Sequence, residues 1–82
     1  MRTIELMEKF QKNQTNRAVA AKLEVTEAAI SVAKKVGRLS PSLAAKIADF
    51  LGENPVFWMA VAAAEQQVEP TRTALLEILE DS

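Results

Sequence analysis

Helix caps and breakers recur along this 82-residue chain at intervals too short for any long helix, and they constrain the fold more than any other feature. Thr15 and Asn16, Thr26, Ser40-Pro41 and Asn54-Pro55 suit helix starts, because a short polar side chain can accept from the orphan N–H groups there and proline is tolerated at the first helical position. Gly37 and Gly52 suit helix ends, where a left-handed residue is needed. Between these marks the chain is rich in alanine and leucine. Those residues favour helix, so the expected fold class is all-α, compact, with five to six short helices.

Apolar spacing assigns an inward face to each segment. Thr3 is expected to cap a first helix that buries Ile4, Met7 and Phe10 and ends at Lys12, Asn13 and Gln14. A fourth, from Ser40-Pro41, turns Leu43, Ile47, Phe50 and Leu51 inward. The fifth, from Pro55 through about Glu69, is apolar almost all round its first half and is expected to be covered on two sides. Pro70 opens a sixth, with Leu75, Leu76, Ile78 and Leu79 as its stripe. Met1, Met7 and Met59 read as packing or initiation residues.

Residues 16–35 decide the architecture. A single helix through them would scatter Val19, Leu23, Val25, Ile30 and Ala33 around more than half its circumference and leave the Thr26 cap unused. A break near Glu24 removes both faults: Val19, Ala20 and Leu23 face inward from one short helix, Val25 plugs the corner, and Ile30 and Ala33 face inward from the next. The small Ala20 allows close approach of the two helices. This is helix-turn-helix spacing.

The net charge of −1 conceals a gradient. From Lys9 to Lys46, eight basic residues face only Glu24 and Glu27, a local charge of +6; from Ile47 onward, seven acids face Arg72 alone, a local charge of −6. Such asymmetry suits a polyanion-binding half with an acidic half turned away. With no cysteine and no histidine, disulfides, thiolate metal sites and the commonest general base are excluded. No carboxylate pair lies beside a glycine-rich phosphate loop, and a helical chain this small has little room for a closed pocket, so neither enzyme, metal nor cofactor is expected. No apolar run is long enough for a membrane span, and the N-terminal MRTIELMEKF lacks a signal-peptide core.

From about Thr15 to Trp58 the chain resembles the Cro and lambda-repressor-like (XRE-type) helix-turn-helix domains of phage and bacterial regulators. The resemblance rests on A-x-x-L-x-V-T (Ala20, Leu23, Val25, Thr26), Ile30-Ser31, the loop signals Gly37 and Ser40-Pro41, and A-x-x-L-G-x-x-P (Ala48, Leu51, Gly52, Pro55). It departs at the corner, where the family usually has glycine and this chain has Glu24. The resemblance implies a helix-turn-helix core over residues 1–55 and C-terminal helices over 56–82 that pack on it and pair two copies. It implies a cytoplasmic protein of a bacterial host, compact like a prophage repressor, with double-stranded DNA as partner and no cofactor.

Carried over by position, the groove-facing residues are Thr26, Glu27, Ala28, Ser31, Val32 and Lys35. They include no Arg, Asn or Gln, so bidentate contacts to guanine or adenine are missing and base reading is expected to be shallow. Ala28 and Val32 suit thymine methyls, Ser31 suits several base edges, and Glu27 can accept from cytosine. Thr15, Asn16 and Arg17, at the start of the preceding helix, and Lys34, Lys35 and Arg38, flanking the groove helix, are the expected phosphate contacts. Phe57, Trp58, Val61, Leu75, Leu76 and Leu79 are the expected homodimer interface. A competing reading is an antitoxin-like or adaptor module that binds a protein partner through its C-terminal helices, with DNA binding secondary.

Overall fold

In a computed structural model, residues 2–81 are described and form six helices with no strand among them: α1 (Thr3–Gln11), α2 (Asn16–Leu23), α3 (Glu27–Val36), α4 (Pro41–Phe50), α5 (Pro55–Glu65) and α6 (Thr71–Glu80). The expectation for Met1 lies outside the described residues. No helix among them is long and apolar enough to cross a membrane. The core is formed by Leu6, Met7, Val19, Ala20, Leu23, Ile30, Leu39, Ala44, Ile47 and their neighbours, with Ala62 joining from α5. α4 lies at the centre, against α1, α2 and α5. α3 packs mainly on α2, and α6 mainly on α5, so these two helices stand at the edges.

The helix starts follow the local chemistry. Thr15, Thr26 and Ser40 each accept from the backbone N–H three residues on, and the Asn54 side chain accepts from both Val56 and Phe57. These are N-cap bonds worth about 1 kcal/mol each. Gly37 (φ 82°) and Gly52 (φ 74°) take the left-handed conformation that favours glycine at helix exits. Asn13 (φ 64°) does the same after α1, where asparagine is one of the better-tolerated residues.

Four expectations need correction. Thr3 does not cap α1: it is its first residue, and its hydroxyl turns into the core to donate to Glu65 and accept from the Leu39 N–H at 2.9 Å. Phe50 is 57% exposed, its ring leaning on Phe10 at 5.4 Å from the surface, because the core at the end of α4 is already filled by Ile47 and Ala48. α5 stops at Glu65, where the amides of Gln66 and Gln67 bond three residues back and tighten the last turn. α6 buries no residue, although its leucines half-cover α5.

The start of α6 lacks a cap from the residue before it. Glu69 substitutes, accepting from the Thr73 N–H at 2.9 Å and the Thr73 hydroxyl at 2.6 Å. Those bonds stabilise the ionised form and hold the Glu69 carboxyl below its ordinary range, with a smaller contribution from Arg72.

Candidate nucleic-acid interface

The break expected near Glu24 is present, and Glu24 itself makes it. Its backbone is left-handed, with φ 57° and ψ 42°, and its amide bonds back to the carbonyls of Ala20 and Ala21. The Val25 N–H then reaches Ala20 O at 3.0 Å. That pair of bonds closes α2 as a C-terminal capping turn does. Glutamate bears a conformational cost there of about 1–2 kcal/mol that glycine would escape. Val25 packs against the core, and α3 restarts two residues later under the Thr26 cap.

α3 therefore leaves the corner on the outside of the bundle. Ile30 and Ala33 are its buried residues; Thr26, Glu27, Ala28, Ser31, Val32, Lys34 and Lys35 are all exposed. The residues expected to face a groove thus lie on the surface, from the capped N-terminus of α3 onward. They fall into two flanks. Glu27, Ser31 and Lys34 form a polar flank, whereas Ala28, Val32 and Val36, at i, i+4 and i+8, form an apolar one. Val32 is 58% exposed and Val36 53%. They border an open apolar trough of about 410 Å3 between α3 and the start of α4, floored by Ala33, Leu39 and Leu43. The sequence shows these alanines and valines, but only the path of the loop from Gly37 to Ser40 reveals that they line a depression.

The expected phosphate contacts separate into two groups. Thr15, Asn16 and Arg17 stand together at the start of α2, with Thr15 and Arg17 exposed and Asn16 half-buried. Lys34 joins them from α3: its ammonium donates to Asn16 Oδ1 at 2.5 Å, and Gln11 Nε2 donates to the same oxygen at 2.6 Å. With its oxygen doubly engaged, the Asn16 side chain is fixed, and its amide nitrogen remains a donor. The helix-start amides of α2, the Asn16 amide and the Lys34 ammonium thus form one cationic cluster bridging the two helices. Lys35 is exposed on α3 near this face.

Arg38 lies elsewhere. Beyond the Gly37 turn, it lines a separate polar pocket of about 300 Å3 with Arg2, Arg72 and Glu65. Sequence reasoning gave no role to Arg2, Arg72 or Glu65. Nothing local in the sequence signals this grouping, which joins the start of α1, the loop after α3 and both sides of the α5–α6 connection.

The C-terminal surface also differs from expectation. Val61 is fully buried within the chain and is removed from the candidate interface. Trp58 is half-buried against the core, with Phe57 edge-on to it at 5.7 Å, so this aromatic pair belongs largely to the packing of α5. Leu75 is 38% exposed, and Leu76 and Leu79 are half-buried. An apolar trough of about 280 Å3 runs between α5 and α6, lined by Ala60, Ala63, Leu75 and Leu79 among others.

Among the described residues no group of acidic side chains could hold a metal ion. Fold and site together define a small all-α bundle with a short helix pair joined by a sharp corner and a cationic cluster across it. Compared with protein-family models, with curated proteins and with solved structures, the chain has no match.

Proposed function

We propose that this chain is a sequence-specific DNA-binding regulator, a dimer of the phage-repressor kind that lays α3 in the major groove of a pseudo-palindromic operator. The observation that carries the reading is the corner at Glu24, between two helices each started by its own threonine cap. It presents Ala28, Ser31, Val32 and Lys35 outward while Ile30 and Ala33 anchor α3. The cluster of Thr15, Asn16, Arg17 and Lys34 supplies donors beside that helix, suited to a phosphate at the groove edge. The local charge of +6 on the Lys9–Lys46 half supports it as well.

With so few long polar side chains on α3, direct readout is limited to apolar contact with thymine methyls and single hydrogen bonds from Ser31 and Thr26. Operator spacing and DNA shape then carry much of the specificity. A second copy supplies the rest. Two α3 helices about 34 Å apart match successive major grooves on one face of the duplex. The exposed apolar surface shared by α5 and α6 is the surface proposed for pairing.

Selection of duplexes from a random library, followed by mobility shift of selected and scrambled sequences at two salt concentrations, tests the reading. Enrichment of a two-fold symmetric site supports it. Binding that depends on salt but not on sequence overturns it.

One observation favours a second reading, an adaptor or antitoxin-like module whose partner is a protein. Val32 and Val36 border an apolar trough, a feature that a peptide segment could fill as readily as a groove edge. The same mobility-shift experiment separates the two.

A further inference from the structure

We infer that the pocket formed by Arg2, Arg38 and Arg72 is a phosphoryl-binding site. Three guanidiniums from three distant parts of the chain line one cavity of about 300 Å3, with Val36 and Leu76 as its apolar rim and Glu65 as the acid that lines it. Glu65 is already engaged, since its carboxylate accepts from both the backbone N–H and the hydroxyl of Thr3. Glu69, which attracts Arg72, is likewise engaged by Thr73.

None of the three arginines closes an ion pair among the described residues. Arg72 is half-buried and oriented through Nε, which donates to Gln67 O at 3.0 Å, leaving its two terminal nitrogens for the cavity. Arg2 is steered by the Gly37 carbonyl at 3.5 Å. Arg38 has no partner among the described residues. Guanidiniums held around a common space by backbone carbonyls repel one another, and the group that relieves the repulsion is a compact anion with several acceptor oxygens. A phosphoryl group meets that need, because each planar fork can donate two parallel bonds to its oxygens.

The location gives such binding a consequence. The pocket joins the C-terminal end of α3, through Val36 and Gly37, to the first turn of α6, through Arg72. An anion held there ties the two edge helices together, although they otherwise pack on different neighbours. The phosphoryl group has two conceivable sources, a free phosphate compound and the backbone of a duplex lying along α3.

Two experimental arms distinguish these sources. Inorganic phosphate is titrated into 15N-labelled protein at constant ionic strength, with the amides of Val36, Gly37, Arg38, Leu39 and Arg72 followed. Saturable shifts confined to these residues are expected, weakened roughly tenfold for each guanidinium lost in Arg38→Gln and Arg72→Gln. Lys22→Gln, on the exposed side of α2, should leave them unchanged. In the second arm, Arg72→Gln is tested against duplex DNA. A weaker affinity and a salt slope reduced by about one assign the phosphoryl group to the duplex; unchanged DNA binding with saturable phosphate shifts assigns it to a free anion. Absence of saturable phosphate shifts together with unaltered DNA binding overturns the inference. The first arm needs no DNA, so it stands even if the chain binds none. Arg72→Lys, which keeps the charge without the fork, serves as the probe if a glutamine variant fails to fold.

Discussion

The hydroxyl of Thr3, at the first position of α1, donates to the carboxylate of Glu65, at the last position of α5, across 62 positions of sequence. The same carboxylate accepts from the Thr3 N–H at 3.1 Å, and the same hydroxyl accepts from Leu39 N–H. Three segments are thereby tied at one buried point: the start of α1, the end of α5 and the loop between α3 and α4. The polar groups are satisfied by one another, which is the condition for burying a carboxylate at all.

Replacing Thr3 with valine keeps the shape and removes the hydroxyl, stranding the Leu39 amide and one carboxylate oxygen. A loss of about 1–3 kcal/mol is expected in denaturant unfolding, because buried groups without partners cost their full desolvation. Unchanged stability would show that water enters to replace the hydroxyl.

Glu24→Gly is expected to raise stability. The left-handed backbone at φ 57° costs a residue with a Cβ about 1–2 kcal/mol, of which some is offset by the extra freedom glycine has when unfolded. A net gain of about 0.5–1 kcal/mol corresponds to a rise of several degrees in Tm for a chain of this size. A fall in Tm would mean that the Glu24 side chain contributes more than its backbone costs.

The proposed phosphate contacts predict a steep salt dependence. With about three basic contacts per subunit in a dimer, log affinity should fall with log salt at a slope near −5, or roughly a thousandfold between 50 and 200 mM. Lys35→Ala should weaken all sequences alike, and Ser31→Ala should change preference at one base position. Equal, sequence-independent losses from both would contradict a groove-facing Ser31.

Glu69 gives a pH dependence with a definite sign. Its carboxyl is held low by Thr73, so the capping contribution to α6 is complete at neutral pH and is lost as pH falls through the folded-state value. Amide exchange at Thr73 and its neighbours should accelerate in acid ahead of the rest of α6. Glu69→Gln should abolish that difference; a flat profile in the parent chain would mean that the cap does not form in solution.

Pairing through the α5–α6 surface is tested by Leu75→Glu combined with Leu79→Glu. Sedimentation velocity should show a monomer, with operator affinity much reduced. An unchanged sedimentation coefficient places the dimer contact, if there is one, elsewhere.

The sequence by itself determined where helices start and stop, because caps, prolines and glycines act on backbone groups within a few residues. Thr26, Ser40-Pro41, Asn54-Pro55 and the break at Glu24 are legible for that reason. It also determined which side of α2 and α3 is buried, since a helical repeat is a local rule. Only the tertiary structure decided what lies between distant segments. Thr3 has a cap residue's chemistry and a core residue's place, because Glu65 arrives beside it from α5. Phe50 and Val61 fit the same apolar pattern, yet one is exposed and the other sealed, because space in the core is allotted by the order in which neighbouring helices fill it. The convergence of Arg2, Arg38 and Arg72 is of the same kind: charge is read from composition, but the distances between charges are set by the packing of helices that share no local signal.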